Sequence, residues 1–450
     1  MTREVHAYPT KEFFVYMITK DISLEDCTLD LLDNSIDAAW NTERTSKGKG
    51  TKNGEALFPN IGAYSAEINL NGNEFSIVDN CGGISIQNAS EYAFRFGRRP
   101  DTPEEYQGAI GVYGIGMKRA VLKMGKIINI RSSTKSEAFS MSINVEKWLT
   151  DPDNWDFALQ EEEPWESPGT HIIVRDLYPS VSRQFLDAVF LQGLKKFVAR
   201  DYSFIINSGF GVTINSEIIA PYIYELRESE SIKPLKVSYI DEEGVRVEMS
   251  AGMASLPPDD SSAEEMESSA RRETEYFGWF VVCNERVVLA ANRTDRTVWG
   301  DEGFTKWHFQ YNGFMGIIKF TSEDPDKLPW TTTKRDVDEG NPVYRRAVYR
   351  MKEATQSWVS YTTQRKRDLE KAKSFESVAT GKPVDKVSLR EKMVLPIIEE
   401  PKRIKIATIQ YQKPLSDVQK VRETVGKPNL PYAEVGRLTF DYYLENEYVE

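Results

Sequence analysis

The chain is short of the residues that several protein classes depend on. Its three cysteines, Cys27, Cys81 and Cys283, are widely spaced and odd in number. A disulfide framework and a cysteine metal centre are therefore excluded, and the thiols read as those of a reducing compartment. Only three histidines occur, His6, His171 and His308, and none stands in a helical pattern suited to a phosphoacceptor. No apolar run reaches the ~18 residues of a membrane span, and no basic-then-apolar leader opens the sequence. A cytoplasmic protein with no membrane partner is expected. Positive charge is also in deficit. The 57 Lys and Arg against 69 Asp and Glu leave a formal net charge of -12, which argues against a surface that coats nucleic acid uniformly but leaves room for a local basic patch. Hydrophobic content of 40% and charged content of 28% are ordinary for a globular chain. A length of 450 residues allows two to three domains, each with its own core.

What is present is concentrated in three segments. In Leu29-Asp30-Leu31-Leu32-Asp33-Asn34-Ser35-Ile36-Asp37-Ala38-Ala39 the helical period puts Asp30, Asp33, Asn34 and Asp37 on one face and Leu29, Leu32, Ile36 and Ala39 on another. Ser23 is placed to cap this helix, with Asp26 three residues on. Standing alone, the polar face would be a solvated surface. Buried, its carboxylates need a cation or a polar ligand. Next, Phe75-Ser76-Ile77-Val78-Asp79-Asn80-Cys81-Gly82-Gly83-Ile84 runs from a strand pattern into Asp and a glycine pair. Finally, Ile110-Gly111-Val112-Tyr113-Gly114-Ile115-Gly116-Met117-Lys118-Arg119-Ala120 leads glycines into an apolar-periodic helix, a form suited to a phosphate.

In this order the three segments resemble the boxes of the GHKL ATPase superfamily, which includes DNA gyrase B, heat-shock chaperones, histidine kinases, MutL and MORC. The wording of the boxes is nearest to MORC, MutL and bacterial ATP-binding proteins related to them. The resemblance covers roughly residues 20–175 and implies an α/β fold: a Bergerat-type sandwich over 1–200, a transducer-like α/β domain over 201–340 with an acidic insertion at 241–275, and a helical extension over 341–450. It implies ATP and Mg²⁺ as ligands, with Asn34 on the metal and Asp37 and Ala38 against the nucleotide. Asp30 falls at the position of the catalytic base, where the family usually has Glu. Its carboxylate lies one methylene further back, so slow hydrolysis or a water-bridged base follows. Asp79 would accept the adenine amino group, and Thr170, in Gly169-Thr170, would share its hydrogen-bond network. Of the glycine pair only Gly83 matches, because Cys81 and Gly82 stand where Gly and a variable residue are usual. Gly111, Gly114, Gly116, Met117 and Lys118 would cradle the phosphates. The intervening lid carries Arg95-Phe96-Gly97-Arg98-Arg99, from which one arginine would meet phosphate charge.

Around these boxes, residues 67–70 and 74–79 predict a hairpin about Asn71-Gly72-Asn73. Residues 127–132 and 138–143 predict strands, and 176–200 helix. Apolar positions at 13–18 predict a strand or helix start that covers the core, or a strap to a partner subunit. Loops are read at 41–62, which includes Lys47-Gly48-Lys49-Gly50, and in the Pro/Ser-rich 257–262. Residues 204–207 and 211–215 read as opening a second strand-rich region, continued at 279–283, 286–289 and 314–320. The family's transducer lysine corresponds to Lys334, in Leu328-Pro329-Trp330-Thr331-Thr332-Thr333-Lys334-Arg335, with Arg335 as the alternative. Asn341-Pro342 starts a helix whose stripe runs from Tyr344 to Tyr361. Its other faces are basic across 345–373, a solvated surface or a local DNA contact. Beyond lie a strand-like 402–410 and two helical stretches, a dimer or partner contact. Three functions compete: a conformational-switch ATPase with ATP-dependent homodimerisation or partner clamping, a nucleotide-gated binding module with little hydrolysis, and a protein kinase, which the histidine positions disfavour.

Overall fold

The computed structural model describes residues 9–46, 57–97, 110–111, 114–259, 274–301, 303–399 and 406–447. The readings that involve His6, 47–50, Arg98, Arg99, Val112, Tyr113, 260–262 and 402–405 lie outside the described residues. Two units divide the chain, 1–399 and 400–450.

The N-terminal apolar run is a helix, α1 (Lys11–Lys20), capped by Thr10. Lys11 is buried, and its ammonium donates to the carbonyls of Trp148, Asp151 and Asn154 over the Trp148 ring. The helix α2 (Leu24–Ser46) follows, with the Ser23 hydroxyl accepting from the Asp26 backbone N–H at 3.0 Å. Leu29, Leu32, Ile36 and Ala39 are fully buried, as their spacing requires, but so are Asp30, Asp33 and Asp37. The polar face is therefore an interior surface. Beside α2 packs α3 (Gly116–Met124).

The helices lie on an eight-stranded sheet built from β1 (Ser65–Leu70), β2 (Glu74–Asp79), β3 (Gly125–Ser133), β4 (Ala138–Asn144), β5 (Leu159–Glu162), β6 (Gly169–Leu177), β7 (Gly211–Ile214) and β8 (Glu217–Ile218), in the order β5-β4-β3-β6-β2-β1-β7-β8. The β1/β2 hairpin closes with Leu70 opposite Phe75, and the Asn71 carboxamide oxygen accepts the N–H groups of Asn73 and Glu74. Two expectations are corrected here. Residues 204–207 are helical. The strand at 211–214 does not open a second region: it runs parallel to β1, with Val212 and Ile214 buried in the first core and the Asn215 side chain pinned to the Leu70 backbone.

The helix α4 (Ala188–Asp201) precedes β7 in the chain and packs against the second sheet. The short β9 (Glu225–Glu228) precedes the second sheet and pairs with β15 (Thr380–Pro383). That sheet has β10 (Leu235–Ile240), β11 (Arg246–Met253), β12 (Gly278–Cys283), β13 (Arg286–Asn292) and β14 (Phe314–Thr321) in the order β10-β11-β14-β12-β13. The acidic insertion read at 241–275 is therefore too wide. Residues 246–253 form a strand between two neighbours, because Val247, Met249, Ala251 and Met253 alternate into the core. The Trp279 ring lies where a side chain at 316 would stand, 2.4 Å from a Cβ there, so only Gly316 fits. The helix α5 (Pro342–Gln364) starts at an Asn341 cap and buries Tyr344, Ala347, Met351, Ala354, Trp358 and Tyr361. After it comes α6 (Leu369–Ser377).

In the second unit, residues 406–410 form no regular secondary structure, which corrects that part of the strand read at 402–410. All five are exposed, so no neighbour rewards the alternation. Two helices follow, α7 (Leu415–Val425) and α8 (Tyr432–Asn446). Among the described residues no helix is long and apolar enough to cross a membrane.

Candidate functional site

The buried acids of α2 are neutralised from three directions. Asp33 accepts from Arg286 Nε at 2.9 Å and the Tyr202 hydroxyl at 2.6 Å on one oxygen, and from Lys334 Nζ at 2.6 Å on the other. Burial alone would raise its carboxyl, but Arg286 and Lys334 hold it below the usual range. Asp30 accepts from Arg119 through Nε at 2.8 Å and Nη2 at 2.7 Å, with Lys334 Nζ 3.7 Å from its second oxygen. Asp37 has a different task. Its two oxygens accept the backbone N–H groups of Ile110 at 2.8 Å and Gly111 at 2.7 Å, fixing the start of the glycine segment. Burial pushes its carboxyl up to about 6, against those two donors.

The glycines let that segment approach α2. A Cβ on Gly111 would lie 3.2 Å from the Asn34 carboxamide oxygen, and one on Gly116 would lie 3.2 Å from Asp30. No side chain caps the start of α3, so its first N–H groups face the cavity end of the helix without a protein acceptor from the cap position.

At the end of β2, Asp79 accepts from the backbone of Cys81 at 3.0 Å and Thr170 at 3.2 Å, and from the Ser35 hydroxyl at 2.7 Å. Burial raises its carboxyl while these bonds lower it, and the net shift is upward. The Thr170 and Ser132 hydroxyls are 2.8 Å apart, and Ser132 accepts the Ile84 N–H at 2.8 Å. Aspartate, threonine and turn thus form one network. Cys81 is buried, with its thiol against the Ser65 carbonyl. Burial, with Asp79 beside it, pushes that thiol up. Gly82 and Gly83 both take positive φ, and a Cβ on Gly83 would stand 2.0 Å from the Ser133 carbonyl oxygen. Gly83→Ala should therefore cost about 2 kcal/mol or more. A drop in thermal midpoint checks this, and an unchanged midpoint would mean that the turn can rearrange.

A cavity of about 430 Å³ lies between these parts, within the ~300–1,000 Å³ of small-molecule and cofactor sites. Asp30, Asn34, Asp37, Ala38, Gly83 and Lys334 line it, as do Gly111, Gly114, Gly116, Met117 and Lys118. Of the residues read from the sequence, Asp79 and Thr170 do not; they stand behind the turn that carries Gly83. Lys118 is buried, its amine donating to the Ala93 carbonyl at 2.8 Å, and burial pulls it down to about 7. Arg95 also lines the cavity, and Phe96 next to it packs edge-on to Phe14 of α1.

Lys334 arrives from beyond the second sheet on a tight turn. Thr331 N–H donates to the Asp336 carbonyl, Lys334 N–H donates to the Thr331 carbonyl, and Lys334 itself has φ +55°. Arg335, the alternative, points away to Asp26 and over the Phe197 ring. Three partners in the site had no sequence signal of their own: Arg119, Arg286 and Tyr202. Only Arg119, directly after Lys118 in the glycine-led helix, stood within a recognised segment. The basic run after 341 is largely engaged: Arg346 holds Asp241, Lys352 holds Asp301, Arg365 holds Glu376 and Lys373 holds Asp259.

Residues 22–169 match the family model described as histidine kinase-, DNA gyrase B- and HSP90-like ATPase. This stretch is similar to the ATPase domains of the GHKL superfamily. No curated protein matches the chain. The matched residues carry α2, the Asp79 turn and the glycine segment, and the first sheet with α1–α3 fits a Bergerat α/β sandwich. An ATP-dependent function belongs to such a domain. The second sheet, Arg286 and Lys334 lie outside the matched residues.

The residues present fit ATP with Mg²⁺. Lys118, Lys334 and the uncapped start of α3 supply positive charge, and the Asn34 carboxamide offers a hard oxygen. Among the described residues no group of three or more His, Cys, Asp and Glu could hold a metal ion.

Proposed function

We propose that the GHKL domain binds Mg²⁺·ATP in this cavity and hydrolyses it slowly, as a conformational switch of the MutL and MORC kind that pairs two copies or clamps a protein partner. The observation that carries the reading is Lys334, a cation from outside the ATPase domain whose amine reaches the acids of α2. Asn34 would hold Mg²⁺, which when bound would neutralise phosphate charge. Lys118 and the α3 amides would bind phosphate, and Asp79 would accept the adenine amino group. Asp30 would orient a water and take its proton. Lys334 would meet the terminal phosphate and report it to the second sheet, which takes the transducer role. Slow turnover follows from the short Asp30 side chain and from its double contact with Arg119, which occupies one of the two oxygens a water could use.

That same contact favours a second reading, a nucleotide-gated binding module without significant hydrolysis. Phosphate release from ATP, measured with and without Mg²⁺, separates the two. Mg²⁺-dependent release above background supports the switch ATPase, and binding without release supports the module.

One pH dependence follows from Lys118. Its amine is pulled down to about 7, so above that pH it is mostly neutral. A bound triphosphate would favour the ammonium, so binding takes up a proton. ATP affinity should fall as pH rises from 7 to 9, by up to about tenfold per pH unit. Lys118→Met should flatten the profile. Calorimetry in buffers of different ionisation heats counts the proton, and the same pH slope in both proteins would exclude Lys118.

A further inference from the structure

The contacts of Asp33 exceed what the ATPase reading uses. This carboxylate lies between two residues from beyond the matched domain: Arg286 at the start of β13 and Lys334 in the turn after β14. Around Asp30 and Asp33, three cations face two carboxylates: Arg119, Arg286 and Lys334. Arg286 does not line the cavity and is buried over the Tyr202 ring, so it reaches a ligand only through Asp33. Lys334 does line the cavity, and its shortest contact is with Asp33.

We infer that Asp33 is an internal counter-ion that competes with the terminal phosphate of the nucleotide for Lys334, and that Arg286 sets how strongly it competes. The inference rests on the ATP reading above. Asp33 and the terminal phosphate are both anions that draw on one ammonium, which the 2.6 Å bond to Asp33 and the 3.7 Å approach to Asp30 now hold against α2. A phosphate that recruits Lys334 must weaken its bond to Asp33. The cost is tolerable because Arg286 and Tyr202 stay on the other oxygen, so Asp33 keeps partners inside the protein. A nucleoside diphosphate, which lacks the terminal phosphate, would leave the pair intact. Asp33 is thus a positioning residue that tunes discrimination of ATP from ADP, and Arg286 acts through it from the second sheet.

The test is the ratio of affinities for Mg²⁺·AMP-PNP and Mg²⁺·ADP, measured by calorimetry on the full chain. Asp33→Asn frees Lys334 and should raise the preference for the triphosphate by about tenfold, within the ~5–150-fold of coupled sites. Arg286→Met leaves Asp33 more dependent on Lys334 and should lower it. The double variant Asp33→Asn/Arg286→Met removes the buried pair together, which cores tolerate better than a single orphaned charge. It should keep the raised preference of Asp33→Asn, since Arg286 has no other route to the ligand. A merely structural role would shift Asp33→Asn and Arg286→Met in the same direction. An unchanged or lowered preference in both Asp33→Asn and the double variant would overturn the inference while nucleotide binding by the parent stands. A parent that binds neither nucleotide would instead overturn the ATP reading, and this inference with it.

Discussion

Asp30→Asn is expected to retain ATP binding within a few-fold and to lose about 10²–10⁴ of turnover, the range of a positioned general base. Asparagine keeps the size of the side chain and an oxygen for the Arg119 guanidinium, but it cannot take a proton from water. Alanine is a worse choice. It would leave Arg119 and Lys334 facing an empty place in a buried cluster, at a cost of about 3–5 kcal/mol, and stability would confound the rate. Phosphate release at saturating ATP, together with calorimetric affinity, checks the split. Turnover at the parental rate would move the base elsewhere.

Asp79→Asn is expected to act on the opposite quantity. ATP affinity should fall about a hundredfold, or about 2.7 kcal/mol. An asparagine oxygen can still accept from the Cys81 and Thr170 backbone, so the turn should persist. The other position changes from acceptor to donor, facing both Ser35 and the amino group of an adenine, and the unpaired donors carry the penalty. Asp79 stands behind the Gly83 turn and not in the cavity wall, so the adenine must meet it at the edge of that turn. Ser35→Ala leaves the carboxylate in place and should cost much less. Equal losses in the two variants would mean that the network, and not the acceptor, governs binding.

Much of the ATPase domain was legible because its signals are local. The spacing of Leu29, Leu32, Ile36 and Ala39 fixes which face of α2 joins the hydrophobic core, and Ser23 with Asp26 fixes its start. Asn71-Gly72-Asn73 fixes the hairpin and its register. The four polar residues of α2 announced a site, but not what neutralises it. Tyr202 and Arg286 come from far along the chain, and no periodicity records such a pairing. Neighbouring residues could also point in opposite directions: Lys334 enters the cavity, whereas Arg335 turns to Asp26. Sheet membership failed for a similar reason. Gly211–Ile214 has a strand pattern, but only its register with β1 decides which sheet it joins. The acidic flanks of 246–253 hid a core strand whose alternation was plain. At 406–410 the pattern had no partner to pair with.

The most direct test is an X-ray structure of the full chain grown with Mg²⁺ and AMP-PNP. The expected result is a single nucleotide in the cavity, with its adenine amino group at Asp79 and Mg²⁺ on the Asn34 oxygen. The phosphates should lie over Gly114–Lys118, with Lys334 Nζ within hydrogen-bond distance of the terminal phosphate. A nucleotide bound elsewhere on the chain, or one in the cavity with Lys334 still held on Asp33, would contradict the central claim that this lysine reads the terminal phosphate.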